Sequence, residues 1–455
     1  MAQISGPKIK TEPRDSTAGF PLTPPQESSL WGHLDEDFYP KAHTQITTSN
    51  ATATEIVPSS FSVCPHGNPI VAVIGVGYVG AHLTSCFSSQ YRVIGFDISE
   101  KRVHDLRYEY RHNNAVQFSK NPGDLTQATH FLISVPTLLR PDKTIDSSYL
   151  RDALKTVGMV ARRGSTVVIE SSVAVGMTRQ LLGPLAGSRG FFAGMSPERV
   201  DPGRVEPPTQ SIPKIISGLD DLVPGSLDAI NRIYSTIFDK IVSVSKPEVA
   251  EMMKLYENCQ RMVCIAYANE MADACIPFGI DPFEVCEAAS TKPFGYMPYT
   301  PGVGVGGHCI PVNPFYLLSN SAFPLLESSV KAMQSRPAML AQRVLTSLRM
   351  RNVNGSRPRV LVVGIGFKTG QSNLDNSPGA DLARNLAVSR EVEVYWADTL
   401  VEQDSLPQIP RLSDNDWCRR VLMSFHVIIM TSRQQSMSFD VLDELEGVQV
   451  ERWYR

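Results

Sequence analysis

An α/β protein built on two doubly wound parallel sheets is the fold class the sequence predicts, from three observations. Short apolar runs such as IVAVIG (70–75) alternate with helix-like stretches, and each run has the length of one strand buried on both faces. A strand running into a glycine turn occurs twice, in VAVIGVGYVG and again in RVLVVGIGF. Between them lies one long helical stretch, KPEVAEMMKLYENCQRMVCIAYANEMADACIPFG, with Pro247 near its start and Gly279 near its stop, the positions at which those residues begin and end helices.

Residues 1–66 are rich in Ser, Thr and Pro and carry little periodicity. Such a segment buries too little apolar surface to offset chain entropy, and a disordered tail is expected. The strand at Ile70 opens a first Rossmann-like domain over 67–245. YRVIGFD supplies its second strand, FLISVPT one near 131 and STVVIESS one near 165, with the helical SSYLRDALKTVGMVARRG between the last two. Alternation of this kind specifies βαβ units. The long helix opens a central region over 246–345. Over 346–455 the alternation resumes with RPRVLVVGIGF, EVEVYWAD and HVIIMTS, giving a second, smaller Rossmann-like domain.

At 455 residues the chain has room for about two to three domains. Lys plus Arg (43) nearly balances Asp plus Glu (46), so charge gives no reason to expect a nucleic-acid partner. No apolar run is long enough to span a bilayer, and no membrane partner is expected. Eight cysteines lie scattered without a CxxC pair, which suits a reducing, cytoplasmic setting, and no metal site is expected.

Gly75-x-Gly77-x-x-Gly80 follows a strand and opens a helix. In that context the glycines permit a tight turn and close approach of a pyrophosphate to a helix N-terminus; a turn that only packs helix on strand is the plainer alternative. Asp97, at the end of the next strand, is placed to bind a ribose diol and to disfavour a 2′-phosphate, so NAD is expected over NADP. Lys254 and Asn258 are four apart on the long helix and share a face, although a lysine on an amphipathic helix is commonly only solvated. The stretch GVGVGGHCIPVNPF (302–315) surrounds Cys309 with glycines, which let backbone approach a ligand closely.

Together these stretches resemble the UDP-glucose/GDP-mannose dehydrogenase family of NAD-dependent nucleotide-sugar 6-dehydrogenases. GVGYVG, ISVPT, ESSVAVGMT, SPERV, AEMMKLYEN, ANEMA, PGVGVGGHCIP and GFK occur in the family's order and spacing. SPERVDPGRV and PGVGVGGHC look closer to the branch that oxidises UDP-N-acetylhexosamines. The resemblance implies that Cys309 is the covalent catalyst, that Lys254 handles the alkoxide proton, that Asn258 holds the tetrahedral oxygen and that Glu198 activates hydrolytic water. It implies cofactor contacts from Arg102 and Thr137, and substrate contacts from Tyr299, Gly306 and Lys368. Ser172 stands where the family generally has Thr, and His308 could favour a thiolate at Cys309. Family members pair through the long helix, so a homodimer or higher oligomer is expected.

Two departures bear on rate. Asn313 stands where the family has Asp, and an amide cannot take a proton. Asp375 stands where an Arg of the family normally reaches the substrate of a neighbouring subunit, and an anion beside a diphosphate repels it. The sequence therefore leaves two readings open: an oxidoreductase converting a UDP-sugar to its uronic acid, or a weakened paralogue that binds NAD and nucleotide sugar as a regulatory or assembly partner.

Overall fold

A computed structural model describes residues 68–201, 204, 206–351, 357–434 and 437–454. The expected tail lies outside the described residues, and the structure below belongs to the compact unit Cys64–Arg455. The chain runs β1 (Ile70–Ile74), α1 (Tyr78–Phe87), β2 (Arg92–Phe96), α2 (Glu100–Glu109), β3 (Val116–Ser119), β4 (His130–Ile133), a short antiparallel pair β5 (Leu138–Leu139) and β6 (Ile145–Asp146), α3 (Ser148–Val160), β7 (Thr166–Ile169), α4 (Met177–Arg189), β8 (Phe192–Met195), β9 (Lys214–Gly218), α5 (Ser226–Tyr234) and β10 (Ile241–Ser243).

The larger sheet has the order β10-β9-β8-β7-β4-β1-β2-β3. Its pairs are parallel except β8 with β9, where Gly194 faces Gly218 and Met195 faces Ser217 in antiparallel register. Period-two alternation sends Ala72, Ile74, Phe131 and Ile133 into one core and Val71, Val73, Leu132 and Val168 into the other. Both faces are covered, which is why these strands read as unbroken apolar runs. Helices supply the covering stripes: α3 buries Leu150, Ala153, Leu154 and Val157 at helical spacing. Each large apolar side chain so enclosed contributes roughly 1.5–3 kcal/mol.

The central region holds α6 (Pro247–Cys275), α7 (Pro282–Ser290), α8 (Asn313–Leu318) and α9 (Pro324–Met350). Leu255, Met262 and Ala266 of α6 meet Leu326, Val330 and Met333 of α9, with Tyr316 of α8 between them. The second sheet follows: β11 (Arg359–Val363), α10 (Pro378–Ser389), β12 (Glu393–Ala397), α11 (Arg419–Leu422), β13 (Val427–Met430) and β14 (Gln449–Arg452). Its order is β12-β11-β13-β14, all parallel. Val362, Trp396 and Ile429 pack toward α9 and α10, and Leu361, Ile428 and Met430 line the opposite core.

The α/β class and both glycine-turn strands are as the sequence predicts. A strand end just before SPERV is as expected, at β8; strands β3, β9, β10 and β14 and the second long helix α9 are not anticipated by the sequence. Several of those strands are short or interrupted by Gly, Ser or Lys, and α9 carries Pro337 in its interior, a residue that normally signals a helix boundary.

Candidate active site

The cofactor turn is built from three glycines with three different reasons. Gly75 has φ +84°, open to glycine at no cost, and its N–H donates to Phe96 O at 2.8 Å. A β-carbon on Gly80 would fall 1.9 Å from Gly75 O, so only glycine lets α1 pack this close to the turn. Gly77 caps α1, and a β-carbon there would meet nothing within 4 Å; it faces the open cleft that adjoins the helix N-terminus. The first N–H groups of a helix lack intrahelical partners and favour an anion. Room at Gly77 beside those donors fits a dinucleotide pyrophosphate.

Asp97 ends β2 half-buried. Its Oδ2 accepts from Val76 N–H at 3.0 Å and its Oδ1 from Ser99 N–H at 2.9 Å, which fixes the carboxylate while leaving lone pairs for a diol. Arg102 donates through Nε to Val76 O at 2.8 Å, clasping the glycine turn. Thr137 spends its hydroxyl on Ser172 O at 2.6 Å, and Tyr316 donates to Thr137 O at 2.8 Å. Thr137 thus ties the cofactor side of the cleft to α8.

One cleft of about 1120 Å³ is lined by Gly77, Ser172, Glu198, Lys254, Cys309 and Asn313, among others. The loop carrying Cys309 is held at both ends. Near its start, Gly302 donates to Asn269 Oδ1 at 2.9 Å and accepts from Arg336 Nε at 2.8 Å. Arg336 is itself buried and paired with Asp273 at 2.9 Å. At the far end Cys309 O receives the N–H of Asn313 at 2.9 Å, and the Cys309 side chain is exposed at the head of α8.

Lys254 is buried on α6, and its side chain makes no hydrogen bond or ion pair among the described residues. Burial holds its ammonium below the ordinary lysine range, against the opposing pull of Cys309, Glu257 and Glu198. Asn258 is fully buried and stands behind Asn313: its amide donates to Asn313 Oδ1, and Arg261 donates to its Oδ1. Asn313 is the member of the pair that lines the cleft.

Glu198 accepts from the N–H groups of Arg199 and Val200 at 2.7 and 3.0 Å through Oε1, and from Lys214 Nζ at 2.9 Å through Oε2. Burial opposes its charge, yet Lys214 and the Arg199 N–H hold the carboxyl below the usual range. Lys214 also reaches Glu170 Oε2 at 2.7 Å, and Tyr234 donates to Glu170. Burial pushes Glu170 up to about 7, despite Lys214. The sequence reading missed Glu170, Lys214 and Tyr234. A lysine inside the otherwise apolar strand PKIISG was the available signal, since a lone buried cation demands partners.

The remaining expected residues are spread more widely. Gly306 packs against the second sheet's domain, where a β-carbon would lie 2.9 Å from Pro378 Cδ. Lys368 pairs with Asp201 at 2.9 Å, and neither it nor Tyr299 is among the residues lining the cleft. His308 Nε2 lies 3.4 Å from Asp375 Oδ2 at the cleft mouth, beside Cys309.

Comparison with known proteins places the chain in a family. Residues 70–238 match the model of the UDP-glucose/GDP-mannose dehydrogenase family NAD binding domain, and 248–332 match the family's central domain. A UDP-N-acetyl-D-glucosamine 6-dehydrogenase of Pseudomonas aeruginosa is 33% identical, over 71% of this chain and 82% of that protein. A UDP-N-acetyl-D-mannosamine dehydrogenase of Pyrococcus horikoshii is 31% identical, over 76% and 87%. The solved UDP-D-ManNAc dehydrogenase from Pyrococcus horikoshii superposes with a TM-score of 0.74 at 26% identity, covering 84% of this chain and 99% of that one.

Proposed function

The chain belongs to the UDP-glucose/GDP-mannose dehydrogenase family and is an NAD-dependent oxidoreductase, and on that premise we propose that it oxidises C6 of a UDP-sugar twice, from alcohol to uronic acid, through a Cys309-linked intermediate. The substrate is of the UDP-glucose or UDP-N-acetylhexosamine type. The observation that carries the proposal is the convergence of Cys309, Lys254 and Glu198 on the cleft that Gly77 opens. The residue roles belong to the proposal, as does the division into an NAD-binding part (67–245), a central part (246–345) and a sugar-binding part (346–455).

When bound, NAD accepts the hydride in each oxidation. Lys254, with its proton loosened by burial, takes up or returns the proton of the C6 oxygen. The aldehyde carbon left by the first oxidation receives Cys309 Sγ, forming the C–S bond of a thiohemiacetal. Loss of the second hydride and the hydroxyl proton leaves a thioester. Glu198 orients and deprotonates a water that breaks the C–S bond, giving the acid and restoring the thiol. Cys309→Ser should therefore abolish uronic acid formation while NAD affinity stays unchanged; undiminished acid from that variant would refute the covalent route.

A second reading is favoured by Asn313 and Asp375. Asn313 offers the cleft an amide already bonded to Asn258, and Asp375 puts negative charge at the mouth. On this reading the chain binds NAD and nucleotide sugar as a regulatory or assembly partner. Turnover across a panel of UDP- and GDP-sugars separates the two. The scattered cysteines support a cytoplasmic setting; among the described residues no helix is long and apolar enough to cross a membrane. A second copy of the chain is the expected partner, through the exposed face of α6 that bears Tyr256 and Tyr267.

A further inference from the structure

Behind the cleft, Lys214 stands between two carboxylates contributed by separate segments of the first domain. Its Nζ lies 2.7 Å from Glu170 Oε2 and 2.9 Å from Glu198 Oε2, and exposures are 3% for Lys214, 1% for Glu170 and 8% for Glu198. An ammonium enclosed this completely is strongly unfavourable without partners, so the position is built around charge. A purely structural ion pair needs one carboxylate. Here there are two and both line the cleft, and the other oxygen of Glu198 is already fixed by two backbone N–H groups. Glu170 is anchored from behind by the Tyr234 hydroxyl, and Lys214 lies over the Phe238 ring at 5.4 Å. A chain of contacts thus runs Tyr234, Glu170, Lys214, Glu198 and ends at the cleft.

Resting on the hydrolytic role given to Glu198 above, we propose that Lys214 is a positioning residue for thioester hydrolysis, which keeps the Glu198 carboxylate charged and aimed, and that Glu170 shares the ammonium and so sets how tightly Glu198 is held. Two directions follow from charge alone. Burial holds Glu170 up to about 7, so it is ionised only above neutral pH; there it shares the Lys214 ammonium and raises the proton affinity of Glu198, whereas the neutral side chain of Glu170→Gln leaves Lys214 to Glu198 at every pH. Removing Lys214 leaves Glu198 to the desolvation of its site, which raises it. The other ionisable groups that face this carboxylate are Lys254 from α6, Cys86 from α1 and Tyr234 from α5.

The test uses the full chain with saturating NAD and a UDP-sugar that the natural protein turns over. The hydrolysis rate is followed against pH, with acylated Cys309 trapped by acid quench and weighed by mass spectrometry. Hydrolysis by the natural protein should quicken as Glu170 ionises through about pH 7, and Glu170→Gln should lack that rise while its acid limb and KM for the sugar stay in place. Glu170→Gln/Lys214→Met, which removes the pair without stranding a cation, should move the limb to higher pH. It should also slow hydrolysis about 10²-fold, the lower range for a general base, so that acylated Cys309 accumulates. A Glu170→Gln profile that superposes on the natural one around neutral pH overturns the proposal, as does native hydrolysis by the double variant. If thermal unfolding shows the double variant unfolded, the Glu170→Gln profile decides alone. A natural protein that forms neither acyl-enzyme nor acid from any UDP-sugar instead removes the functional reading, and this proposal falls with it.

Discussion

An amide at position 313 changes what the buried lysine can do. Lys254 has lost water, its ammonium is held below the ordinary lysine range, and the cleft also presents a neutral Asn313 engaged with Asn258. On the proposed mechanism, proton removal from the substrate alcohol then depends on Lys254 alone. Asn313→Asp adds an acceptor where a relayed proton can go, and a positioned acid or base is worth about 10²- to 10⁴-fold. NADH formation from the same UDP-sugar should rise by at least about 10²-fold, with NAD affinity unchanged in calorimetry. Equal rates for the two forms would mean that another group accepts the proton. The carboxylate must also be charged to act, so the gain should fade as pH falls through the acidic range.

At the scale of one element, the turn between β1 and α1 separates space for a ligand from space for the fold. Both Gly77 and Gly80 belong to the same motif, yet a β-carbon at Gly77 meets open cleft and one at Gly80 meets Gly75 O at 1.9 Å. Gly77 has φ −63°, which any residue adopts. Gly77→Ala should therefore change stability by about 1 kcal/mol or less, the scale of an altered N-cap, while NAD binding weakens because the methyl occupies the pyrophosphate's approach. Gly80→Ala must push α1 from the turn and should lower both the melting temperature and NAD affinity. Thermal unfolding and titration calorimetry on the two variants check this; equal behaviour would contradict the division of roles.

Across the whole molecule, the long helix presents apolar side chains on the side that no described element covers. Tyr256 and Tyr267 are 69% and 63% exposed, and with Met252 and Met271 they recur at helical spacing along α6. A stripe of this kind on the element that also carries Lys254 suits pairing with a second copy. Sedimentation should find the natural chain a dimer or larger, and Tyr256→Glu/Tyr267→Glu should shift it toward monomer. A monomeric natural chain would remove the stripe's assigned role.

The sequence by itself determined the alternation of strands and helices, the two glycine turns, Asp97 at the end of β2 and the glycine-enclosed Cys309. Each of these is written in local terms: an apolar run buried on both faces, a φ of +84° at Gly75, a Pro and a Gly bracketing a helix. Tertiary structure alone decided the rest. The antiparallel register of β8 with β9 follows from how those short strands meet, and α9 forms despite Pro337 because one buried stripe runs its whole length, its first half packed in the central core and its second half against the second sheet. Asn258 and Asn313 are read as separate site residues, but packing of α8 on α6 puts one behind the other. Glu170, Lys214 and Glu198 come from distant segments, and nothing local in the sequence says that the three meet. Their charges acquire meaning only when the sheet closes over them, because the energy of an ionised group is set by the water it loses and the partners it gains.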